Sequence, residues 1–564
     1  MPDTHSTTSA AGARAVGLAK AYHDRTKHRL NGYAAGPDTL DWDAQPNPFR
    51  RYTGAPSTPL PLLADQLATP WADLFVPGKV TPQALNLNSL GLLFELSFAL
   101  AAWKQAGPDR WAVRVNPSSG NLHPTEAWLL CLGVPGVVDG VHHYAPHEHA
   151  LERRGTPEPS DHPEPRAWVA LRSIAWREAW KYGERAFRYV QLDAGHALGA
   201  LRFAAAALGW RVVPVPCATP ELGHALGLDR ATDFAATEGE EAEAVYALLT
   251  ALDPLWPEPL ALRGWPVATT WHGVPNRIDR HPMYHWPVVD EVASATRVPE
   301  PNAVAAFVTP PVPPQGHTPS AVNPPDPIPA ATLIRQRRSA QRFDGHARCA
   351  LDPFWSLLRA LHPAHPPLDA WHLPPRVHLL VFPHRVDGLA AGAYLLPRSA
   401  SGQALLAQHL SSELDMVPVP GAPSDAPLLH LADNPALAGT LRTLNCHQAL
   451  GSDAVVGFAL LAEFAAWHCA SAYRERLQEA GLLGQALYLQ AEAVGLRGTG
   501  IGCFFDDALH RMVDLPESAV LGAPLQSVYH FTVGVPVVDD RIATQPAYAH
   551  LVPRDARPLK DPHA

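Results

Sequence analysis

The sequence predicts an α+β protein of two tandem units, each a mainly antiparallel sheet flanked by helices. Three observations carry this: a proline-rich break near the middle of a 564-residue chain, a long helical pattern that recurs on both sides of it, and strand-like runs that follow each copy. One hydrophobic core rarely fills a chain of this length, so two domains are the expected division. From Pro299 to Pro329 repeated prolines remove backbone donors and favour extended conformations, which marks a linker. The division read from the sequence is a disordered tail over 1–18, a first unit over 19–298, the linker over 299–329 and a second unit over 330–564.

Taken in order, the first residues lack an apolar stretch after a basic start, so no secretory signal is predicted. The most apolar segment, 87–103, contains Glu95 and polar residues, falls short of a membrane span and reads as one buried helix. Segments starting at Gly140 and Gly392 each present a strand with a tyrosine, a proline turn and a return segment, the pattern of a hairpin. Helical periodicity then runs from Leu192 in the first unit and from Gln478 in the second, each reaching a glycine suited to a helix C-terminus. These helices align without a gap: Gly195 matches Gly481 and Gly209 matches Gly495, each 286 positions apart (481 minus 195, 495 minus 209). Strand-like runs follow at Arg211 and Ser527.

A formal charge of −10 without long runs of like charge argues against nucleic acid or an anionic membrane as partner. Six cysteines without a CxxC pair suit reduced thiols and a cytoplasmic protein. His142, His143, His147 and His149 lie close in sequence, but alternate hairpin residues point to opposite faces, and no metal site is expected. Cys446 in the segment Asn445–Cys446–His447 reads as a packed thiol rather than a nucleophile.

Three segments offer ligand chemistry. Pro117, Ser118, Ser119, Gly120 and Asn121 form a loop of small and polar residues that lets backbone approach a flat ligand, although ordinary turns share this composition. Arg337, Arg338 and Ser339 would, if they stood at a helix N-terminus, supply guanidinium forks, a hydroxyl and free N–H groups to a phosphate dianion, although a solvated basic helix start has the same composition. Gly498, Gly500 and Gly502 follow a helix without a preceding strand, so they are no dinucleotide fingerprint, and a flexible connection would use similar glycines.

The run from Asn116 to Leu130, NPSSGNLHPTEAWLL, resembles the flavin-contacting loop of the nitroreductase superfamily in the form typical of SagB-type dehydrogenases. Segments beginning at Tyr22, Leu40 and Trp180 are similar to that family too, as are RRSAQRF from Arg337, GTGIG from Gly498 and the closing run to Arg541. The resemblance implies one flavin mononucleotide (FMN) per chain. It would be held by Pro117, Ser118, Ser119 and Asn121 of the first unit and by Arg337, Arg338, Ser339, Gln341, Gly500, Ile501, Gly502 and Arg541 of the second. Each unit keeps only part of one cradle, so the implied arrangement is an intramolecular pseudo-dimer with one composite site and one degenerate site. Departures exist: Gln341 and Val535 stand where the family often has basic residues. Lys181 and Tyr182 match the family's Lys–Tyr pair, thought to take a substrate proton as hydride leaves to flavin. Burial or a neighbouring cation such as Arg185 would help Lys181 lose its proton, though as two adjacent residues they equally suit packing. The implied activity is oxidation of an azoline-type ring in a modified peptide or small product, with biosynthetic partner proteins. The alternatives are an NAD(P)H-dependent nitro or quinone reductase and a non-catalytic flavin- or leader-peptide-binding scaffold.

Overall fold

The computed structural model describes residues 10–159, 164–250, 266–299, 327–465 and 467–551. Most of the expected linker, 300–326, lies outside the described residues, as do the first nine residues of the expected tail. The rest of that tail is helical: α1 spans Ala10–Arg25, its alanines favouring helix and its Tyr22 and His23 buried.

In the first unit, beside a short antiparallel pair of Tyr52–Thr53 and Val274–Pro275, the strands are β1 (Ser57–Pro59), β2 (Leu100–Ala106), β3 (Asp109–Arg114), β4 (Thr125–Leu132), β5 (Gly140–Ala145), β6 (Ala150–Pro157), β7 (Arg166–Ser173), β8 (Arg211–Pro214), β9 (Glu241–Leu249) and β10 (Ala268–Trp271). In the second they are β11 (Val377–Pro383), β12 (Gly392–Leu396), β13 (Val417–Pro418), β14 (Leu429–Asp433), β15 (Val456–Glu463), β16 (Arg497–Ile501), β17 (Leu525–Gly534) and β18 (Ala543–Gln545). The first sheet runs β10-β6-β5-β4-β7-β9-β8, with β1 added on β6, and the second runs β13-β14-β12-β11-β15-β17-β16. All their named pairings are antiparallel. Five neighbours correspond in order, β5-β4-β7-β9-β8 and β12-β11-β15-β17-β16, so the units repeat one topology. A smaller sheet, β18-β2-β3, joins the end of the second unit to the first.

The helices that frame the site are α2 (Leu87–Glu95), α3 (Ala175–Tyr182), α4 (Ala186–Ala207), α5 (Ala330–Gln336), α6 (Ala400–His409), α7 (Leu437–Leu444), α8 (Ala472–Ala493) and α9 (Asp506–Met512). The recurrent pattern corresponds to α4 and α8, which cross with their backbones in contact. A Cβ added at Gly195 would lie 2.8 Å from the carbonyl carbon of Gln478, and one at Gly481 would lie 2.9 Å from that of Leu192. Leu192 and Gln478 are themselves matched positions, so the contact is its own image under a pseudo-two-fold axis. Both helices end in the same left-handed glycine cap. Gly209 (φ +72) and Gly495 (φ +76) are followed by Trp210 and Leu496, whose N–H groups donate to Ala205 and Ala491.

Four sequence-based expectations are corrected. The apolar run 87–103 divides: α2 stops at Glu95, whose carboxylate accepts from Leu63 and Ala64 N–H, and β2 begins at Leu100. The segment from Gly140 forms the hairpin β5–β6, but after β12 the chain enters α6, where Ser399 caps the helix through Gly402 N–H. Arg337–Ser339 do not open a helix; they follow the C-terminal end of α5, of which Arg337 is the cap residue. The glycines at 498 and 500 lie in an edge strand, β16, paired along β17. There the absent side chains make room for rings: a Cβ on Gly498 would meet Phe531 at 2.7 Å and one on Gly500 would meet Cζ of Tyr529 at 2.7 Å.

Candidate functional site

Between the units lies a cavity of about 480 Å³, in the range of small-ligand and cofactor sites. Its floor comes from α4, where Tyr189, Asp193 and His196 recur at helical spacing on one face, together with Tyr488 of α8 and Tyr529 of β17. His196 Nε2 meets the Tyr529 hydroxyl at 3.0 Å, closing the floor across the pseudo-two-fold.

One wall is the loop 116–123 between β3 and β4. It is held in shape by its own polar side chains: Ser118 Oγ accepts from His123 N–H (2.8 Å), and Asn121 Nδ2 donates to Ala112 O (2.8 Å). Gly120, Asn121 and His123 all have φ between +55 and +61, strained for the two non-glycine residues. Ser119 donates through N–H and Oγ to the Asp193 carboxylate at 3.0–3.1 Å. Asp193 has no ion-pair partner among the described residues, and burial pushes its carboxyl up to about 7 against these hydrogen bonds.

The opposite wall is second-unit backbone, Arg337–Gln341 and Thr499–Cys503. Arg337 is buried over the Tyr488 ring (4.9 Å) and donates to Val115 O of the first unit (3.1 Å). Ser339 Oγ and Gly500 N–H both bond the Tyr488 hydroxyl, at 2.9 Å each. Arg338, Lys104 and Arg497 gather beside Arg337. Burial and then Arg337 bring Arg338 down to about 10, and burial with Arg338 and Arg497 lowers Lys104. Glu492 is the carboxylate bonded to this group, pairing with Arg497 at 2.9 Å, so positive charge is in excess and the region suits an anion.

Lys181 and Tyr182 end α3 beside the first wall. Tyr182 lines the cavity; a Cβ on Gly120 would lie 2.5 Å from its hydroxyl and 3.1 Å from Lys181 Nζ, so the pair packs directly on this left-handed glycine. Lys181 is half-buried with Nζ 5.3 Å from the centre of the Trp42 ring, and burial lowers its ammonium while Glu178 opposes the shift. Burial raises the Tyr182 phenol.

The cavity thus gathers Pro117, Ser118, Ser119, Asn121, Tyr182, Arg337, Arg338, Ser339, Gln341, Gly500, Ile501 and Gly502, with Lys181 at its edge. Arg541 is not part of it: its side chain is 84% exposed and bonded to Asp539 at 2.7 Å. Lys104 and Arg497 stand among the cavity's cations instead. Arg185 is buried against Asp506 (3.0 Å) and takes no part in lowering Lys181. Sequence reasoning also missed Tyr189, Asp193, His196, Tyr488 and Tyr529, although polar residues on one face of an alanine-rich buried helix were a readable signal for three of them. The four histidines near the hairpin have separate partners: His142 bonds Val138 O, His143 lies between Glu126 and Glu152, His147 bonds Glu148, and His149 bonds Tyr144.

At the pseudo-symmetric positions two matched residues are engaged in ion pairs. Glu479, which matches Asp193 (479 minus 193 is 286), accepts from Arg376 N–H at 3.0 Å and pairs with Arg398. Arg202, which matches Tyr488, is ion-paired with Asp369 in a turn at Leu368–Ala370 that packs on α4 and α8.

No protein-family model and no curated protein matches the chain. Among solved structures, a candidate nitroreductase of Anabaena variabilis ATCC 29413 superposes with a TM-score of 0.65 at 21% identity, covering 92% of this chain and 99% of that one. The fold is therefore nitroreductase-like: two tandem α+β units forming an intramolecular pseudo-dimer. At lower similarity the chain matches a candidate nitroreductase of Ralstonia eutropha JMP134 (15% identity, TM-score 0.26, 42% and 93% coverage) and the Escherichia coli microcin synthetase McbBCD complex with truncated pro-MccB17 (14%, 0.24, 43% and 94%).

Proposed function

We propose that the cavity between the units binds one FMN per chain and that the protein is a flavin-dependent oxidoreductase of the SagB-type dehydrogenase kind. Its substrate would be an azoline-type ring in a modified peptide or small product, and partner proteins of a biosynthetic complex would deliver it. The observation that carries this reading is the meeting, in one cavity, of a cation cluster, glycine-lined walls and a Lys–Tyr pair standing over Gly120. The residues present fit the group: Arg337, Arg338, Lys104 and Arg497 suit its phosphate, and the cavity of about 480 Å³ between the two loops has the size of a cofactor site. Asn116 Oδ1 and Arg337 Nε, both on cavity-lining residues, are buried without a hydrogen-bond partner among the described residues, as expected of groups that await a polar ligand.

When bound, FMN supplies the hydride acceptor. The chain supplies position and proton control. Burial favours the uncharged amine of Lys181, which can then take a proton from a substrate carbon, while Tyr182, kept protonated by burial, can donate a hydrogen bond at its hydroxyl. The helix floor and the wall from Arg337 to Gln341 keep bulk water from the reacting edge.

Stopped-flow mixing of the flavin-loaded protein with NADPH tests the reading. Slow bleaching that is unaltered in Lys181→Ala fits a dehydrogenase whose hydride comes from a cyclic substrate. Bleaching within seconds would favour a nicotinamide-dependent nitro or quinone reductase, and a protein that never changes redox state with any donor would be a scaffold.

A further inference from the structure

Two supports of the cavity, the loop 116–123 and the helix α3 that carries Lys181, are tied together from behind by a buried cation. Arg177, one helical turn before Lys181, donates from Nη1 to His123 O at 2.6 Å and from Nε to Asn47 O at 3.1 Å. His123 is the strained end of the loop (φ +55), and its Nε2 meets Asn121 Oδ1 at 3.0 Å, so this bond reaches residues that line the cavity. Arg177 Nη1 also bonds Glu126 Oε1 of β4 at 2.5 Å. The other oxygen of buried Glu126, Oε2, stands 3.1 Å from His143 Nε2. On the opposite side of the ring, His143 Nδ1 stands 2.9 Å from Glu152 Oε2 of β6, an oxygen that also accepts Tyr52 N–H at 3.0 Å.

A neutral imidazole carries one N–H and one lone pair. Between two carboxylate oxygens, either tautomer aims its lone pair at one of them, and only the imidazolium donates to both. Water offers no substitute partner, because His143 is fully buried. The rings of Tyr52 and Trp128 are centred 5.1 and 5.3 Å from its own, and Arg154 and Arg172 lie over those two rings at 4.3 and 4.1 Å. From β3, Arg114 stands 4.0 Å from Glu126. Burial works against a charge on His143, but the hydrogen bonds to Glu126 and Glu152 outweigh it and hold the imidazole above its ordinary range. Burial likewise opposes the ionised Glu126, and Arg177 with His143 overcomes it, keeping that carboxyl well below the usual range.

We propose that His143 is an imidazolium at neutral pH and that the run Glu152–His143–Glu126–Arg177 positions the loop 116–123 against Lys181, so that loss of the His143 proton in mild alkali loosens the cavity's grip on FMN. Arg177 and His143 act as positioning residues, since neither lines the cavity. Once neutral, His143 turns a lone pair on one carboxylate, and the bonded run that ends on His123 O must readjust. Because the imidazole stands above its ordinary range when folded, the stabilisation it gives is complete below about pH 6.5 and is lost as pH rises through the folded-state value. The effect on flavin rests on the cofactor reading above; the charge of His143 does not.

Nitrogen NMR of the full-length protein labelled in its histidines reads the charge directly, with His143 identified as the signal that His143→Gln removes and Glu152→Gln shifts. Both ring nitrogens should be protonated at about pH 7, with a midpoint above about 6.5; a single protonated nitrogen would overturn the proposal. In fluorescence titration, wild-type affinity for FMN should fall about tenfold between about pH 6.5 and pH 9, the effect of one hydrogen bond to a charged group. Asp193 titrates in the same range, so Glu152→Gln makes the assignment. Glu152 is not among the residues that line the cavity, and removing one of the two carboxylates should bring the midpoint about one pH unit lower. A midpoint that does not move would give the pH dependence to Asp193 and sink the positioning role. A wild type that binds no FMN at about pH 6.5 would refute the cofactor reading, and the NMR result would still decide the charge of His143.

Discussion

Replacing Gly195 with alanine tests the pseudo-two-fold crossing on which the site depends. The new methyl carbon would stand 2.8 Å from the Gln478 carbonyl carbon and 2.9 Å from Leu482 N, where ordinary contact begins near 3.4 Å. The obstacles are backbone, so no rotamer change relieves them; α4 and α8 must separate by about 0.5 Å or more along their crossing. Overpacking of this kind costs about 1–3 kcal/mol, and the rigid obstacle puts Gly195→Ala at or above the upper end. Helix propensity returns about 1 kcal/mol, leaving a net loss of about 2 kcal/mol and a fall in Tm of several degrees. Gly481→Ala should behave alike, because its methyl would meet the Leu192 carbonyl carbon at 2.9 Å. The double variant should lose less than the sum, since helices already parted for one methyl largely admit the second. Gly17→Ala in α1, with nothing within 4 Å, serves as control and should be neutral or slightly stabilising. Calorimetry or thermal circular dichroism of the four variants reads this directly. A Gly195→Ala protein as stable as the control, or strict additivity in the double variant, would refute the reasoning.

Three further outcomes follow from the site. Asp193, raised to about 7 from a normal value near 3.9, binds its proton more tightly when folded; the stability this gives is complete below about pH 4 and is lost as pH rises through 7, by up to ~4 kcal/mol. Relative to wild type, Asp193→Asn should therefore gain stability between pH 5 and pH 8 in thermal melts, and parallel pH profiles would contradict the shift. Arg497→Ala should weaken FMN binding by about tenfold or more in fluorescence titration, a hydrogen bond to a charged group contributing about 1.5–3 kcal/mol, whereas exposed Arg541→Ala should leave it unchanged; the reverse order would relocate the phosphate site. Gly502→Ala, whose methyl would press on Tyr189 Cδ1 at 2.8 Å, should reduce FMN affinity, and unchanged affinity would remove that wall from the site.

Much of the architecture was legible because helix periodicity and cap glycines survive duplication: Gly209 and Gly495 mark the same left-handed stop in both units. The composite cavity was legible too, since one unit carries Ser118–Asn121 and the other Ser339–Gly502. Local reading failed where tertiary partners decide. Nothing near 87–103 announces that Leu100 will pair with β3 and leave the helical path at Glu95. The resemblance implies that Arg337 opens a helix, yet it caps the C-terminal end of α5 and reaches Val115 of the other unit, a contact no local pattern announces. The resemblance of the closing run implies a phosphate contact at Arg541, but that residue follows Asp539 by two positions and folds back on it in solvent. The ion pairs at the matched positions, Arg398 with Glu479 and Arg202 with Asp369, join residues 81 and 167 apart, which no periodicity reveals.

The central claim is that two unlike halves together make a single flavin cradle. Quantifying the flavin released from purified, FMN-saturated protein by absorbance, per mole of chain, tests it most directly. One FMN per chain is the predicted result; two per chain, or a protein that takes up none, would contradict it.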